Sequence, residues 1–196
     1  KTPPVSLGCI NAIIFPLAPS SVLEFKIVNP CFFNLLISAF ILAVLLYMHK
    51  VDPIYSFFMP ILFIKCSVEA TVFLSIIASI AIIEHHRYRI PNFVLILALF
   101  PIFYSRMEAI VSGLLFLIPM AILYSASRVL KRNIFHIDDL KLSFVVGTFF
   151  RSPDLVIPFY IFSFISFVPY SLVNRKIIPL SPPFFVAAYF LSLVSN

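Results

Sequence analysis

The chain has 196 residues, of which 62% are apolar and only 11% are charged, and its mean hydropathy is +1.09. Soluble domains contain roughly 45–50% apolar residues, and no long polar stretch interrupts this sequence, so a separate soluble domain is disfavoured. The formal net charge of +6 is of the size that sets membrane topology, and we expect no nucleic-acid partner. The composition therefore predicts one all-α, polytopic membrane domain over residues 1–196, with about 6–8 transmembrane helices in a lipid bilayer.

Eight apolar segments follow one another along the chain, separated by short polar breaks. The predicted helical segments are residues 5–17, 31–49, 54–83, 92–104, 109–127, 140–150, 155–173 and 177–195. A span needs about 20 residues, so residues 5–17 and 140–150 are too short to cross a bilayer alone. Residues 54–83 predict either one long tilted helix, broken near Cys66, or a short helix followed by a second, and we favour the single helix. Lys65 and Glu69, four positions apart, would share a face of it.

Positive charge is concentrated in three of the breaks. Residues 84–91, 128–139 and 174–176 hold seven lysines and arginines, whereas the loops between them each balance one arginine with one acid. Cytoplasmic loops are enriched in Lys and Arg, so the three basic loops are predicted to lie in the cytoplasm. Successive loops lie on alternate sides of a membrane when each segment between them crosses it. Continued toward the N-terminus, this alternation predicts that residues 18–30 are cytoplasmic and residues 50–53 external.

Two of these basic loops also carry the acids that border long apolar runs. Glu84 begins the first loop, and Asp138 and Asp139 end the second. An acid at the edge of the hydrocarbon is costly and is therefore a candidate for function. Both loops are predicted on the cytoplasmic side, so we expect Glu84 and Asp139 to meet there although 55 positions separate them.

Two carboxyl groups in one poorly solvated site can form a peptidase dyad. The ionised member activates water and the protonated member donates to the scissile carbonyl, because like charges held close together raise one of the two pKa values. The alternative is that Glu84 and Asp139 are ordinary acids at helix ends. They would then pair with Arg87, Arg89 or Lys141.

Other kinds of site receive less support from the sequence. His85, His86 and His136 lie near the acids and could bind a metal, but adjacent histidines point to different sides of a helix. We therefore predict no metal site and place these histidines at the lipid headgroups. The three cysteines form no CxxC or CxxH pair, which favours buried free thiols. No Gly-x-Ser-x-Gly elbow is present, which disfavours a serine hydrolase.

Three segments resemble motifs of the type IV prepilin peptidases, which are membrane aspartic peptidases of the GxGD kind. In that family an Asp precedes Ile/Leu-Pro-Asp/Asn, and Glu84 precedes Ile90-Pro91-Asn92 at the same distance. The family motif Gly-x-Gly-Asp-x-Lys-Leu is similar to Asp139-Leu140-Lys141-Leu142, with Gly147 following in register. The family's Ile-Pro-Phe-Gly-Pro, before its last helix, is similar to Ile178-Pro179-Leu180-Ser181-Pro182.

The resemblance covers residues 67–190, which we expect to form a prepilin-peptidase-like core. It implies an aspartic endopeptidase of a bacterial inner membrane that removes leader peptides from type IV pilin-like precursor proteins at the cytoplasmic face. It also implies that Asp139 and Glu84 are the catalytic acids, with Asp138 as the alternative. No cofactor is needed for that reaction. The family's second activity, N-methylation with S-adenosylmethionine, is allowed by the resemblance alone and falls on no particular residue of this chain.

The chain departs from the family pattern at its central positions. Glu84 stands where the family has Asp, and the added methylene displaces the carboxyl by about 1 Å, which is enough to matter for catalysis. His136 and Asp138 replace both glycines of the second motif, where glycine would permit positive φ. Two other classes of function therefore remain open: a catalytically degenerate membrane scaffold of the same fold, or a small transporter with Glu84, Lys65 and Glu69 on a proton path.

Overall fold

A computed structural model describes residues 30–103, 105–130, 135–173 and 179–194. All regular structure in these ranges is helical, in agreement with the predicted all-α class. The α-helices are α1 (Pro30–Met48), α2 (Tyr55–Phe58), α3 (Val68–Arg87), α4 (Asn92–Leu97), α5 (Arg106–Val129), α6 (Ile137–Phe150), α7 (Val156–Val173) and α8 (Ser181–Val194). The predicted segment 5–17, almost all of the 18–30 loop and the basic loop 174–176 lie outside the described residues.

Three of these helices, α1, α3 and α5, are long and apolar enough to cross a membrane. The segments Asn92–Phe103 and Pro153–Pro169 and helix α8 are shorter apolar helices. The predicted membrane character is therefore supported by length and composition for three spans.

Helix α3 is the central element of the bundle. In its apolar window 78% of the residues are buried, against 28% in the apolar windows of α1 and α5. The helix begins where the Ser67 hydroxyl accepts a hydrogen bond from the Ala70 N–H at 3.2 Å, which is a usual N-cap arrangement. It ends at Tyr88, which adopts a left-handed conformation with φ 55° and donates its N–H to the Glu84 carbonyl oxygen at 2.7 Å. The last turn, which contains Glu84, thus remains inside the packed core.

The segment before α3 does not form the single long helix that the sequence predicted. Residues 55–66 form the short helix α2, a 3₁₀ helix over Met59–Phe63 and a turn. Pro60 lies near the start of the 3₁₀ helix, where its missing N–H prevents a regular α-helix from continuing. Lys65 lies in the turn and does not share a helix face with Glu69.

Helix α1 runs parallel to α3, because the start of α1 lies beside the start of α3 and the segment that follows α1 lies beside the end of α3. The Asn34 amide donates to the Cys66 carbonyl at 2.7 Å, just before α3 begins. At the other end, the Tyr55 hydroxyl lies 3.4 Å from His86 Nε2. Residues 50–53 therefore lie at the same end of the bundle as Glu84. The prediction that they lie on the opposite side was wrong, because residues 54–66 return along the bundle without forming a regular helix.

Helix α6 runs antiparallel to α3. The ring of Phe149 stacks on Phe73 at a centroid distance of 4.0 Å, and Arg151, which ends α6, forms an ion pair with Glu69 in the first turn of α3. The N-terminus of α6 is consequently at the Glu84 end. The helix begins at Ile137 rather than at residue 140, so both adjacent aspartates belong to its first turn and not to the preceding loop.

Helices α5 and α6 form the closest packing in the bundle, at two glycines. A Cβ on Gly147 would lie 2.7 Å from the Phe116 Cβ and 2.8 Å from the Gly113 Cα. A Cβ on Gly113 would meet mainly the outer atoms of the Phe144 and Thr148 side chains, at 2.8 and 2.9 Å. Gly147 is therefore required by a backbone-to-backbone approach, and it fixes the depth at which α6 lies against α5.

Gly147→Ala should destabilise the protein. In a helix interior Ala is normally more stable than Gly by about 0.5–1 kcal/mol, but here the new methyl group would overlap backbone and Cβ atoms, and overpacking of this kind costs about 1–3 kcal/mol. We expect a lower midpoint of thermal unfolding in detergent micelles.

Gly113→Ala is the matched control, because the side-chain atoms around it can rotate away. It should lower the midpoint less than Gly147→Ala does. Equal effects of the two substitutions would contradict the assigned backbone contact.

Candidate active site

The first acid of the site, Glu84, projects from the last turn of α3. Its side chain is 8% exposed, and its Oε2 atom accepts hydrogen bonds from the backbone N–H of Ser181, at 3.0 Å, and from the Ser181 hydroxyl. Ser181 is the first residue of α8 and is fully buried. The carboxyl group of Glu84 therefore occupies the N-terminus of α8, where the helix dipole favours negative charge.

The second acid, Asp139, lies in the first turn of α6 and is 3% exposed. Its Oδ2 atom accepts a hydrogen bond from the His136 N–H at 2.7 Å. This is half of a capping box, in which an acid three positions into a helix satisfies the backbone N–H at its start. The capping contact explains why the helix includes the two aspartates.

Both acids line one cavity of about 470 Å³, a size typical of ligand pockets. The cavity is bounded by Glu84, Tyr88, Arg89, Ile90, Asn92, His136, Asp138, Asp139, Pro179 and Leu180. The structure thus brings Glu84 and Asp139 to the same end of the bundle, where the sequence placed them. All three segments that carry the family resemblance contribute to this cavity.

Asp138, the alternative acid, has a different environment. Its side chain is 30% exposed and forms an ion pair with Lys141 at 2.8 Å. Lys141 Nζ also donates to Asn92 Oδ1 at 2.9 Å, so this lysine links the first turn of α6 to the start of α4. Asp138 therefore serves to hold the loop segments together, and Asp139 is the acid that is withdrawn from solvent.

The structure does not place either buried acid in its own ion pair. Within the described ranges, the ion pairs are Lys141 with Asp138 and Arg151 with Glu69. Arg89 lines the cavity without forming an ion pair with either buried acid. Among the described residues, neither Glu84 nor Asp139 is neutralised by a nearby cation, in contrast to the alternative in which each acid pairs with Arg87, Arg89 or Lys141.

The pKa of Asp139 is raised to about 7. Burial is the largest cause, the hydrogen bond from His136 opposes it, and the negative charges of Glu84 and Asp138 add to the rise. Asp139 therefore holds its proton up to about neutral pH. Asp139 is outside the three candidate spans, in the first turn of a helix at the rim of the cavity.

The replaced glycines do not distort the backbone at the site. His136 has φ −109° and ψ 161°, an extended conformation that any residue adopts, and Asp138 lies within the regular helix α6. In the described ranges the positive φ values belong to Lys50, Tyr88 and Arg151. Steric restriction at positions 136 and 138 is therefore no obstacle to this local fold.

The histidines near the site are exposed. The rings of His85 and His86 contact each other, with centroids 5.5 Å apart, and His86 also contacts Tyr55. In the part of the chain that the structure describes, no three His, Cys, Asp or Glu side chains lie close enough to hold one metal ion.

Sequence reasoning missed Ser181, the residue in direct contact with Glu84. It was singled out only as part of a segment resembling Ile-Pro-Phe-Gly-Pro, in which it replaces glycine. The available signal was a lone hydroxyl residue between Leu180 and two prolines at the start of an apolar helix, a position typical of N-terminal capping.

Asp139→Asn should change how the stability of the protein depends on pH. Between about pH 4 and pH 7 the unfolded chain loses the Asp139 proton before the folded protein does, so the free energy of unfolding falls as pH rises. With a folded pKa of about 7, this fall is up to about 4 kcal/mol. The variant should lack it, which thermal unfolding in detergent micelles across this pH range would measure.

Asp138→Asn is the control for that measurement, since it removes the neighbouring carboxyl and leaves the buried one. Asp138→Asn should keep most of the wild-type fall in the free energy of unfolding between about pH 4 and pH 7. The same fall in Asp139→Asn as in wild type would contradict the raised pKa.

Comparisons of this chain with protein-family models, with curated proteins and with solved structures gave no match.

Proposed function

We propose that this protein is a membrane aspartic endopeptidase, a divergent relative of the type IV prepilin peptidases, in which Glu84 and Asp139 are the catalytic acids. One observation carries the proposal: two buried carboxyl groups from distant helices line one cavity of about 470 Å³. In the part of the chain that the structure describes, each carboxyl has one oxygen bonded to the protein, and no protein donor reaches the other oxygen.

The chemistry follows from sharing one proton between the two acids. Ionised Glu84 removes a proton from a water in the cavity, and the resulting hydroxide attacks the carbonyl carbon of the scissile peptide bond. Protonated Asp139 donates its proton to the carbonyl oxygen, which forms a gem-diol. Glu84 then passes its proton to the leaving nitrogen as the C–N bond breaks, and Asp139 recovers a proton from the gem-diol. The products are a carboxylic acid and an amine, and both acids return to their starting states.

Convergence of the three motif-like segments supports the family relationship. Glu84 and Asn92 come from the first segment, Asp139 and Lys141 from the second, and Ser181 from the third. Lys141 binds Asn92 and Ser181 binds Glu84, so each later segment contacts the first. Segments 49 and 97 positions apart in the sequence are thus joined at one site.

The proposed location is a bacterial inner membrane, with 6–8 helices in the bilayer and the site at its cytoplasmic face. Arg87 and Arg89 flank the site end of α3, and Arg128 lies in the last turn of α5 at the same end. Cytoplasmic ends of membrane proteins are enriched in such residues. The proposed substrates are pilin-like precursors with short leader peptides.

The second candidate is a non-catalytic scaffold of the same fold. It is favoured by the contact between Glu84 and Ser181, because a carboxylate that caps a helix stabilises the bundle whether or not it performs chemistry. The transporter alternative has less support. The buried hydroxyls of Ser75 and Ser79, in the middle of α3, bind carbonyl oxygens of their own helix, and Ser75 also contacts the Ser38 hydroxyl of α1. No ionisable residue lies in α3 between Glu69 and Glu84, so a proton path along this helix has no titratable group at its middle.

Substitution of either acid should abolish cleavage. Asp139→Asn removes the proton donor and Glu84→Gln removes the base, and loss of a general acid or base reduces the rate by about 10²–10⁴-fold. The measurement is leader removal from a pilin-like precursor in membranes that contain each variant at equal abundance.

Two further variants separate the dyad from other acids. Asp138→Asn should retain most activity if Asp139 is the proton donor, and Glu108→Gln, in the exposed first turn of α5, should retain all of it. Equal cleavage by wild type, Asp139→Asn and Glu84→Gln would remove the assigned dyad. Absence of cleavage by wild type would favour the scaffold.

A further inference from the structure

Ser181 contacts the proposed base more closely than any other described residue does. Both its backbone N–H and its hydroxyl donate to the same oxygen, Oε2 of Glu84, and its own side chain is fully buried. Both donors favour the ionised form of the carboxyl group that accepts them, and together they fix its orientation.

The local sequence of α8 leaves Glu84 as the partner of its N-terminus. The first four N–H groups of a helix have no partner inside the helix. Pro182 and Pro183 have no N–H, and the Phe184 N–H already binds the Leu180 carbonyl at 3.2 Å. Of the N–H groups at this helix end, the one on Ser181 thus remains, and it points at Glu84. The prolines also restrict the backbone, so the two Ser181 donors are held in place before any substrate arrives.

This arrangement divides the two oxygens of Glu84 between two roles. Oε2 takes both Ser181 donors, and no donor in the described part of the chain reaches Oε1. The carboxyl lies at the wall of the cavity, so fixing Oε2 against α8 turns Oε1 toward the cavity, where a nucleophilic water must sit.

We infer that Ser181 is a positioning residue of the proposed dyad: it holds Glu84 in the ionised form through Oε2, and so makes Glu84 the base and leaves the shared proton on Asp139. The inference rests on the proposed peptidase function. It also gives the longer side chain at position 84 a physical reason, because an aspartate there would be one methylene too short to keep the same contact.

Other charged and titratable groups also face this carboxyl and must be held constant in any pH experiment. They are Asp139, Asp138 and His136 from the start of α6, and Tyr88 and Arg89 from the loop after α3. Near Glu84, helix α8 contributes Ser181, prolines and apolar residues. A substitution at Ser181 therefore leaves every one of these groups in place.

The test compares Ser181→Ala with two controls. Ser181→Thr keeps the hydroxyl. Ser192→Ala removes another buried hydroxyl of α8, which binds the Tyr189 carbonyl of its own helix at the far end. Ser181→Ala should lower kcat by about 10–100-fold. It should also move the acidic limb of the pH profile of kcat/KM to higher pH by about one unit, because ionised Glu84 loses a donor. Neither control should move the profile, and a wild-type profile in Ser181→Ala would overturn the inference.

A double-mutant cycle tests whether Ser181 acts through the Glu84 carboxyl, and Glu84→Asp alone, which should also move the acidic limb of the pH profile to higher pH, keeps the inference testable if Ser181→Ala is poorly folded. Glu84→Asp leaves Ser181 intact but breaks its contact with the carboxyl, so the loss of kcat in Glu84→Asp should hardly increase when Ser181→Ala is added. Independent, additive losses would show that Ser181 acts elsewhere.

An infrared titration separates this inference from the proposed function. The carboxyl band of Glu84 is identified in purified protein by its loss in Glu84→Gln, and its protonation midpoint should move to higher pH in Ser181→Ala but not in Ser192→Ala. If wild type cleaves no substrate yet the midpoint moves, the peptidase proposal fails and the role of Ser181 in holding Glu84 ionised stands. If cleavage occurs and the midpoint does not move, the peptidase proposal stands and the role of Ser181 in holding Glu84 ionised fails.

Discussion

The burial of a carboxyl group at the junction of three helix ends is the constraint on which this structure depends. Glu84 is almost completely withdrawn from water, and an ionisable group in such a position is costly unless hydrogen bonds replace its hydration. The N-terminus of α8 supplies that replacement through Ser181. Asp139, from α6, lines the same cavity. Separation of these three helix ends would therefore leave a buried carboxyl group without its hydrogen-bond partners.

Contacts at the opposite end of the bundle determine where the first turn of α6 lies relative to this junction. Arg151 pairs with Glu69, Phe149 stacks on Phe73, and Gly147 lets α6 approach α5 closely. Arg151 itself adopts a left-handed conformation with φ 54°, which is uncommon for a residue with a side chain. These contacts near the C-terminus of α6 fix the position of the helix along its own axis. They thereby fix the place at which its first turn meets the cavity. Packing at the far end of α6 thus controls where Asp139 lies relative to Glu84.

The departures from the family pattern form one consistent local arrangement. The longer acid at position 84 reaches a hydroxyl at position 181, where the family has glycine. His136 is extended and donates its N–H to Asp139, and Asp138 turns outward to Lys141. Each replacement therefore has a partner among the described residues.

The sequence by itself determined the helical class, the positions of most apolar helices and the two acids to examine, because apolar run length and scarce charge are local properties of the chain. It did not determine the path of residues 54–66, since a broken helix that returns along the bundle has the same composition as a straight one. Nor did it reveal that α6 begins early enough to include Asp139, or that Ser181 binds Glu84. These facts depend on contacts between segments as far as 97 positions apart, and only the packing of α3, α6 and α8 against one another brings such residues within hydrogen-bond distance.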